Sequence, residues 1–147
     1  MNLLTKMLAT FFFVGLIPAA PGTFGSLAGA ALWWYLPDRA FLFFSIVTLL
    51  TAAAVCGRAE MLLGKKDDGR IVIDEVIGMF TAVAFLPKTL PVLVSGFIMF
   101  RLLDIKKPYP INAIQKLKGS AGVLADDIMA GVAVNLAIRI ASAIVSV

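Results

Sequence analysis

Histidine is absent from this 147-residue chain and cysteine occurs once, at Cys56. Without imidazole the chain lacks the commonest general base and a common zinc ligand. One thiol permits neither a disulfide framework nor a thiolate metal site within the chain. Position 62 is a leucine, so the arginine that a cysteine-based phosphatase loop needs six residues after its nucleophile is missing too. Cys56 lies in an apolar segment and is expected to be a small buried hydrophobe. Acidic residues number only nine against thirteen basic ones. No basic run is interleaved with aromatics in the manner of a nucleic-acid surface, so the excess charge is assigned to lipid headgroups and no nucleic-acid partner is expected.

What the chain has in abundance is apolar side chains: 61% of residues, with a mean hydropathy of +0.97, against roughly 45–50% in soluble domains. The expectation is one membrane domain over residues 1–147, all-α, a compact multi-helix bundle. Apolar segments fall at about 3–17, 27–36, 40–57, 73–86, 90–103 and 122–146, divided by short stretches that hold nearly all the charge, glycine and proline. Several are shorter than the roughly 20 residues of a perpendicular span, so some helices should tilt, stop short or enter from one face. The first segment follows a lysine like a signal peptide. Cleavage after Ala20 would put Pro18 and Pro21 at poorly fitting places, so the segment is expected to be retained.

Charge placement gives the bundle two sides. Arg58, Lys65, Lys66 and Arg70 follow Cys56, and Arg101, Lys106, Lys107, Lys116 and Lys118 follow Met99, whereas LPDR around Asp38 and LPK around Lys88 are nearly bare. By the positive-inside rule the rich connections are cytoplasmic. Four polar stretches come to that face: PAAPGTFGS (18–26), KKDDGRIVIDE (65–75), FRLLDIKKPYP (100–110) and GSAGVLADD (119–127).

Asp74, Glu75, Asp104, Asp126 and Asp127 form an all-oxygen donor set suited to a hard cation such as Mg²⁺. Asp74 or Asp126 could instead cap a helix start, although capping does not explain an adjacent acidic pair on each of two helices. Successive helical residues point about 100° apart, so each pair can put one carboxylate on a metal and the other on a cap, a second metal or a cation. Arg101 and Asp104, three apart, make either a local ion pair or, through Arg101 and a lysine, a phosphate-binding group. Lys106 and Lys107 precede Pro108 and could equally snorkel to the interface. PGTFGS reads as a Gly-rich turn opening a helix and lacks the Gly-Lys-Ser/Thr ending of a nucleotide loop. Gly22, Thr23 and Ser26 offer a generic anion site there, or a turn capped by Ser26. The runs FFF (11–13) and WWY (33–35) read as lipid-facing or interfacial, and Ala125, Ala130, Gly131 and Ala133 as close helix packing.

The succession PGTFGSL, DDGRIVIDEVIGM, FRLLDIKKPYPI and GVLADDIMAGV resembles, from about Gly15 to Gly131, the phosphatidylglycerophosphatase A family of bacterial membrane enzymes. The resemblance implies a Mg²⁺-dependent phosphoric monoester hydrolase of the inner membrane, working at its cytoplasmic face. It would convert the phospholipid phosphatidylglycerophosphate to phosphatidylglycerol in phospholipid biosynthesis. It carries the site onto Asp74, Glu75, Arg101, Asp104, Lys107, Asp126 and Asp127, with Pro21, Gly22, Thr23 and Ser26 beside them. Asp74, Glu75, Asp126 and Asp127 are then metal ligands or water-orienting bases, Asp104 joins them or orients Arg101, and Arg101 and Lys107 hold the phosphate. Attack by water and attack by an aspartate both remain open. Phe80 and Tyr109 stand where family members often carry Trp and are expected to keep an aromatic at the interface, while Ser120 replaces the second Gly of a usual Gly-Gly turn. Other readings are a membrane phosphatase acting on another lipid phosphate, a lipid-binding module, and a small transporter subunit with intramembrane acids along its pathway. The likeness of DEVIG to DDIMAG is the one echo of the repeat that a transporter would carry. The motifs do not define an oligomeric state.

Overall fold

The computed structural model describes residues 3–65, 68–114 and 120–145. Lys66, Asp67, Lys116, Lys118 and Gly119, which belong to the charge and motif patterns, lie outside the described residues. Among the described residues the secondary structure is all helical. The elements are α1 (Leu3–Ala9), a 3-10 turn (Val14–Leu16), α2 (Pro21–Tyr35), α3 (Asp38–Leu63), α4 (Ile73–Val83), α5 (Leu90–Lys106), α6 (Ile111–Ile114) and α7 (Ser120–Val145). Two helices, Asp38–Leu63 and Ser120–Ile144, are long and apolar enough to cross a membrane.

Helix α4 is the core element, packed most extensively on α7 and then on α2. Its sequence is apolar almost all round, which is the pattern of a helix enclosed by others. Of its 11 residues only Glu75 and Thr81 are not buried. At 1.5 Å per residue it is about 16 Å long against about 39 Å for α3, so the segment 73–86 stops short, as its length predicts. Glycines make the close approaches possible. A Cβ on Gly29 would press on Met79, one on Gly78 would strike the Phe100 ring, and one on Gly131 would run into the Gly78 carbonyl.

The N-terminal apolar run is not one helix. α1 ends at Ala9, and Phe11, Phe12 and Phe13 all adopt positive φ (43°, 54° and 71°). The Thr10 hydroxyl braces this turn, donating to the Lys6 carbonyl at 2.8 Å and accepting from the Phe13 N–H at 3.1 Å. The reversal sets Gly15 against the Arg70 carbonyl with no room for a Cβ, and the Val72 N–H donates to the Ala9 carbonyl at 3.0 Å. The N-terminal segment thereby supports the residues that lead into α4. Gly15→Ala is expected to lower stability by about 1–3 kcal/mol through this overlap, measurable as a drop in the thermal unfolding midpoint in detergent.

The two bare connections meet at one end of the bundle. Lys88 Nζ lies 2.7 Å from an Asp38 carboxylate oxygen and donates to the Leu36 carbonyl at 2.5 Å. Several aromatic assignments are corrected by packing. Trp33 and Phe80 are buried, Phe80 edge-on to Phe41 and Phe44 with ring centroids 5.0 and 6.2 Å apart, while Tyr35 and Tyr109 are exposed. Phe11 is buried and Phe12 and Phe13 exposed. Ala130 and Gly131 face the interior as expected, but Ala133 faces outward.

Candidate active site

The first turn of α4 begins the site. Val72 precedes the helix without a side-chain cap, and Asp74 and Glu75 occupy the first turn, where their charge complements the helix dipole. α7 brings Asp127 to them. One carboxylate oxygen from each of Asp74, Glu75 and Asp127 can be chosen so that all three lie within 4.8 Å of one another. Gly78 permits this approach, since a Cβ there would stand 3.0 Å from the Cβ of Asp127.

Beside the three acids lies a second, paired group. Arg101 Nη1 donates to Asp104 Oδ2 at 2.5 Å, one turn along α5. Lys107 closes α5 in a left-handed conformation, its N–H donating to the Leu103 carbonyl at 2.7 Å. From there its ammonium donates to Asp126 Oδ2 at 2.5 Å and lies 3.8 Å from Asp104. The two α7 acids therefore diverge, Asp126 onto a lysine and Asp127 onto the carboxylate cluster, as a 100° step between neighbours allows. Asp104 is paired with Arg101 and is not among the three acids whose oxygens meet within 4.8 Å. Lys106 is exposed, in keeping with snorkelling, while Lys107 is half-buried.

Two capping expectations are overturned. α2 starts at Pro21 after Ala20 at φ 51°, so PGTFGS is the first two turns of a helix and not a turn before one. Ser26 lies too deep in it to cap. Its hydroxyl donates to the Gly22 carbonyl at 2.9 Å and accepts from Arg101 Nη1 at 3.3 Å. α7 is described from Ser120, which puts Asp126 beyond the first turn and removes its capping role. Gly22 faces Glu75 and Arg101 so closely that a Cβ would collide with Glu75 Oε1. Thr23, on the same turn, is half-buried. Ser120, the residue at the altered Gly-Gly turn, accepts from the Gly57 N–H at 2.8 Å and ties the start of α7 to α3.

In the remaining motif Asp68 takes both Nε and Nη2 of Arg70 at 2.8 Å and its backbone N–H at 3.0 Å. These bonds hold the Asp68 carboxyl down at about 2. The pair shapes the loop before α4. Cys56 is buried and unbridged. The signal that sequence reading passed over lies in α7, where Asn135 and Arg139 stand four apart in an apolar run, Asn135 bonded to the last turn of α4 and both bonded to the residues just after it.

Glu75 Oε2 and Arg101 Nε are both shielded from solvent and have no hydrogen-bond partner. A buried acceptor and donor left open in this way each cost stability unless a ligand engages them. The chemistry of the cluster fits a hard cation: three carboxylates, oxygen donors only, with the nearby Arg101 and Lys107 turned to Asp104 and Asp126. An apolar cavity of about 670 Å³ begins near Ile77 and runs past Phe41, Ile46, Phe80 and Phe85, and none of the motif acids lines it.

Four motifs at one end of an apolar helical bundle thus set a cluster of acids that could hold a metal ion beside a guanidinium and an ammonium, the arrangement of a membrane-associated helical protein with a charged site at one end. The Phosphatidylglycerophosphatase A family model matches residues 7–142, and the chain belongs to that family. It is 37% identical over 131 residues to Phosphatidylglycerophosphatase A of Escherichia coli, covering 86% of this chain and 76% of the relative. With Phosphatidylglycerophosphatase A of Haemophilus influenzae the figures are 36% over 132 residues, 86% and 81%. A Bacteroides thetaiotaomicron protein named "Putative phosphatidylinositol-3-phosphatase" is 32% identical over 142 residues, 89% of each chain. No solved structure gives a significant match.

Proposed function

We propose that this chain, as a single domain, hydrolyses the phosphomonoester of phosphatidylglycerophosphate to give phosphatidylglycerol and inorganic phosphate. Family membership supports the substrate. The observation that carries the chemistry is the set of Asp74, Glu75 and Asp127 beside the open Nε of Arg101. Those three acids would hold Mg²⁺, which when bound supplies charge neutralisation and Lewis acidity at the phosphate. Arg101, held by Asp104 and Ser26, presents its remaining N–H groups to the phosphate oxygens. Lys107 adds a second positive charge and keeps Asp126 oriented at the edge of the cluster. Gly22 leaves the space in which Glu75 and Arg101 sit side by side.

The reading includes a topology. α3 and α7 cross the inner membrane, α4 ends within it, and the motif end faces the cytoplasm, where Arg58, Lys65, Arg70, Lys106 and Lys107 meet anionic headgroups. A second reading, a different lipid headgroup, is favoured by the name of the Bacteroides relative. One assay separates them: purified protein in mixed micelles, with Mg²⁺ or with excess EDTA, offered phosphatidylglycerophosphate, phosphatidic acid, phosphatidylinositol 3-phosphate and a soluble phosphomonoester in parallel. Phosphate is expected from phosphatidylglycerophosphate, and EDTA is expected to abolish it. Release that persists in EDTA, or that is fastest from another of these substrates, defeats the proposal.

A further inference from the structure

An α-helix leaves its last four carbonyls without partners inside the helix, and α4 ends at Val83, only about 16 Å from its start. In an apolar surrounding each such carbonyl must be bonded from elsewhere. Asn135 of α7 meets two of the four, those of Thr81 and Ala82, while the Leu86 N–H donates to that of Val83 at 3.2 Å. Asn135 Nδ2 lies within hydrogen-bonding distance of the carbonyls of Thr81 (3.2 Å), Ala82 (3.1 Å) and Ala84 (2.9 Å). Its Oδ1 accepts from Arg139 Nε at 2.8 Å, and Arg139 Nη2 donates to the carbonyls of Ala84 (3.2 Å) and Phe85 (3.3 Å). The amide orientation follows from this chemistry, since only Nδ2 can face carbonyls and only Oδ1 can face a guanidinium.

These residues belong to a longer row. Asp127, Gly131, Asn135 and Arg139 recur every four positions, which sets them along one face of α7. Each meets α4 or the residues just after it. Asp127 joins Asp74 and Glu75 at its start, Gly131 abuts the carbonyl of Gly78 at its middle, and Asn135 and Arg139 hold the carbonyls at its end. The face of α7 that supplies the third acid therefore also grips the far end of the helix that carries the first two.

We infer that Asn135, braced by Arg139, is a positioning residue for the carboxylate cluster: it sets the axial register of α4 on α7, and through it the separation of Asp74 and Glu75 from Asp127. It lies about 12 Å along α7 from Asp127 and acts only through α4. The inference rests on the reading of those three acids as the cation site.

The test compares the full-length wild-type protein with Asn135→Leu, which removes the donors, and Asn135→Gln, which keeps an amide. Two titrations with Mg²⁺ are followed in detergent, the rise in thermal unfolding midpoint and the rate of phosphate release. Asn135→Leu is expected to need about 10–100-fold more Mg²⁺ in both, the range seen when groups that orient metal ligands are lost. Its KM for lipid should stay within about twofold, and Asn135→Gln should recover part of the Mg²⁺ affinity. A lower midpoint with an unchanged Mg²⁺ requirement makes Asn135 merely stabilising and overturns the inference. If Asn135→Leu does not fold, hydrogen exchange of the wild-type protein decides. Mg²⁺ should slow exchange along α4 as far as Val83 and on to Leu86 beyond it, and protection confined to the turn around Asp74 overturns register coupling. A wild-type protein that ignores Mg²⁺ in both titrations overturns instead the cation-site reading on which the inference depends.

Discussion

Asp127→Asn is expected to cut phosphate release from phosphatidylglycerophosphate by about 10²–10³-fold, the scale on which a preorganised electrostatic group contributes to catalysis, while the protein stays folded. The substitution is nearly isosteric and removes one negative charge from three carboxylates that share a 4.8 Å cluster. Like charges held this close repel, so with no divalent cation present the variant should unfold at a higher temperature than the wild type. With Mg²⁺ the order should reverse, because the wild type gains cation binding and the variant gains little. Opposite signs in EDTA and in Mg²⁺ identify a ligand, since a residue with only a packing role would shift both midpoints the same way. Wild-type rates of release from Asp127→Asn would remove it from the site.

Arg101→Leu is expected to lower stability by about 3–5 kcal/mol, the usual cost of leaving a buried charge without its partner. Sequence spacing alone values an i,i+3 pair at a few tenths of a kcal/mol. The structure raises that figure because the Arg101 and Asp104 side chains are only 14% and 9% exposed. Replacing both by leucine should restore most of the unfolding midpoint, because a buried ion pair exchanged for apolar side chains of similar volume is often neutral or stabilising. Phosphate release should be lost in the single and the double variant alike. The double variant is therefore the informative one: recovered folding with recovered release would show that Arg101 serves the fold and not the phosphate.

Much of the candidate site was legible along the chain because it is made of residue types that an apolar bundle tolerates poorly. Asp74, Glu75, Arg101, Asp104, Lys107, Asp126 and Asp127 stand out for the cost of burying them, and the structure gathers all seven at one end. The roles of neighbours were not legible. Asp126 and Asp127 are equivalent in sequence, and only the approach of Lys107 from the end of α5 and of α4 from the other side assigns one to a cation and the other to the carboxylate cluster. Ser26 reads as a cap because serine favours helix starts. The start lies at Pro21, where the left-handed Ala20 turns the chain.

By itself, the sequence determined that the chain is an all-helical apolar bundle, with the acids and cations of its four motifs at one end and LPDR and LPK at the other. Periodicity, charge asymmetry and the cost of buried charge are properties of residues in order, so they can be read without coordinates. The tertiary structure alone decided that one face of α7 meets both ends of α4, placing Asp127 beside Asp74 and Glu75 at its start and bonding Asn135 and Arg139 to the carbonyls of Thr81, Ala82, Ala84 and Phe85 at and just beyond its end. Which residue supplies those partners depends on the rotation and axial offset of two helices, one ending at Val83 and the other described from Ser120. Gly78 and Gly131 allow the close approach at the middle of that contact, and no local preference of either segment encodes the offset.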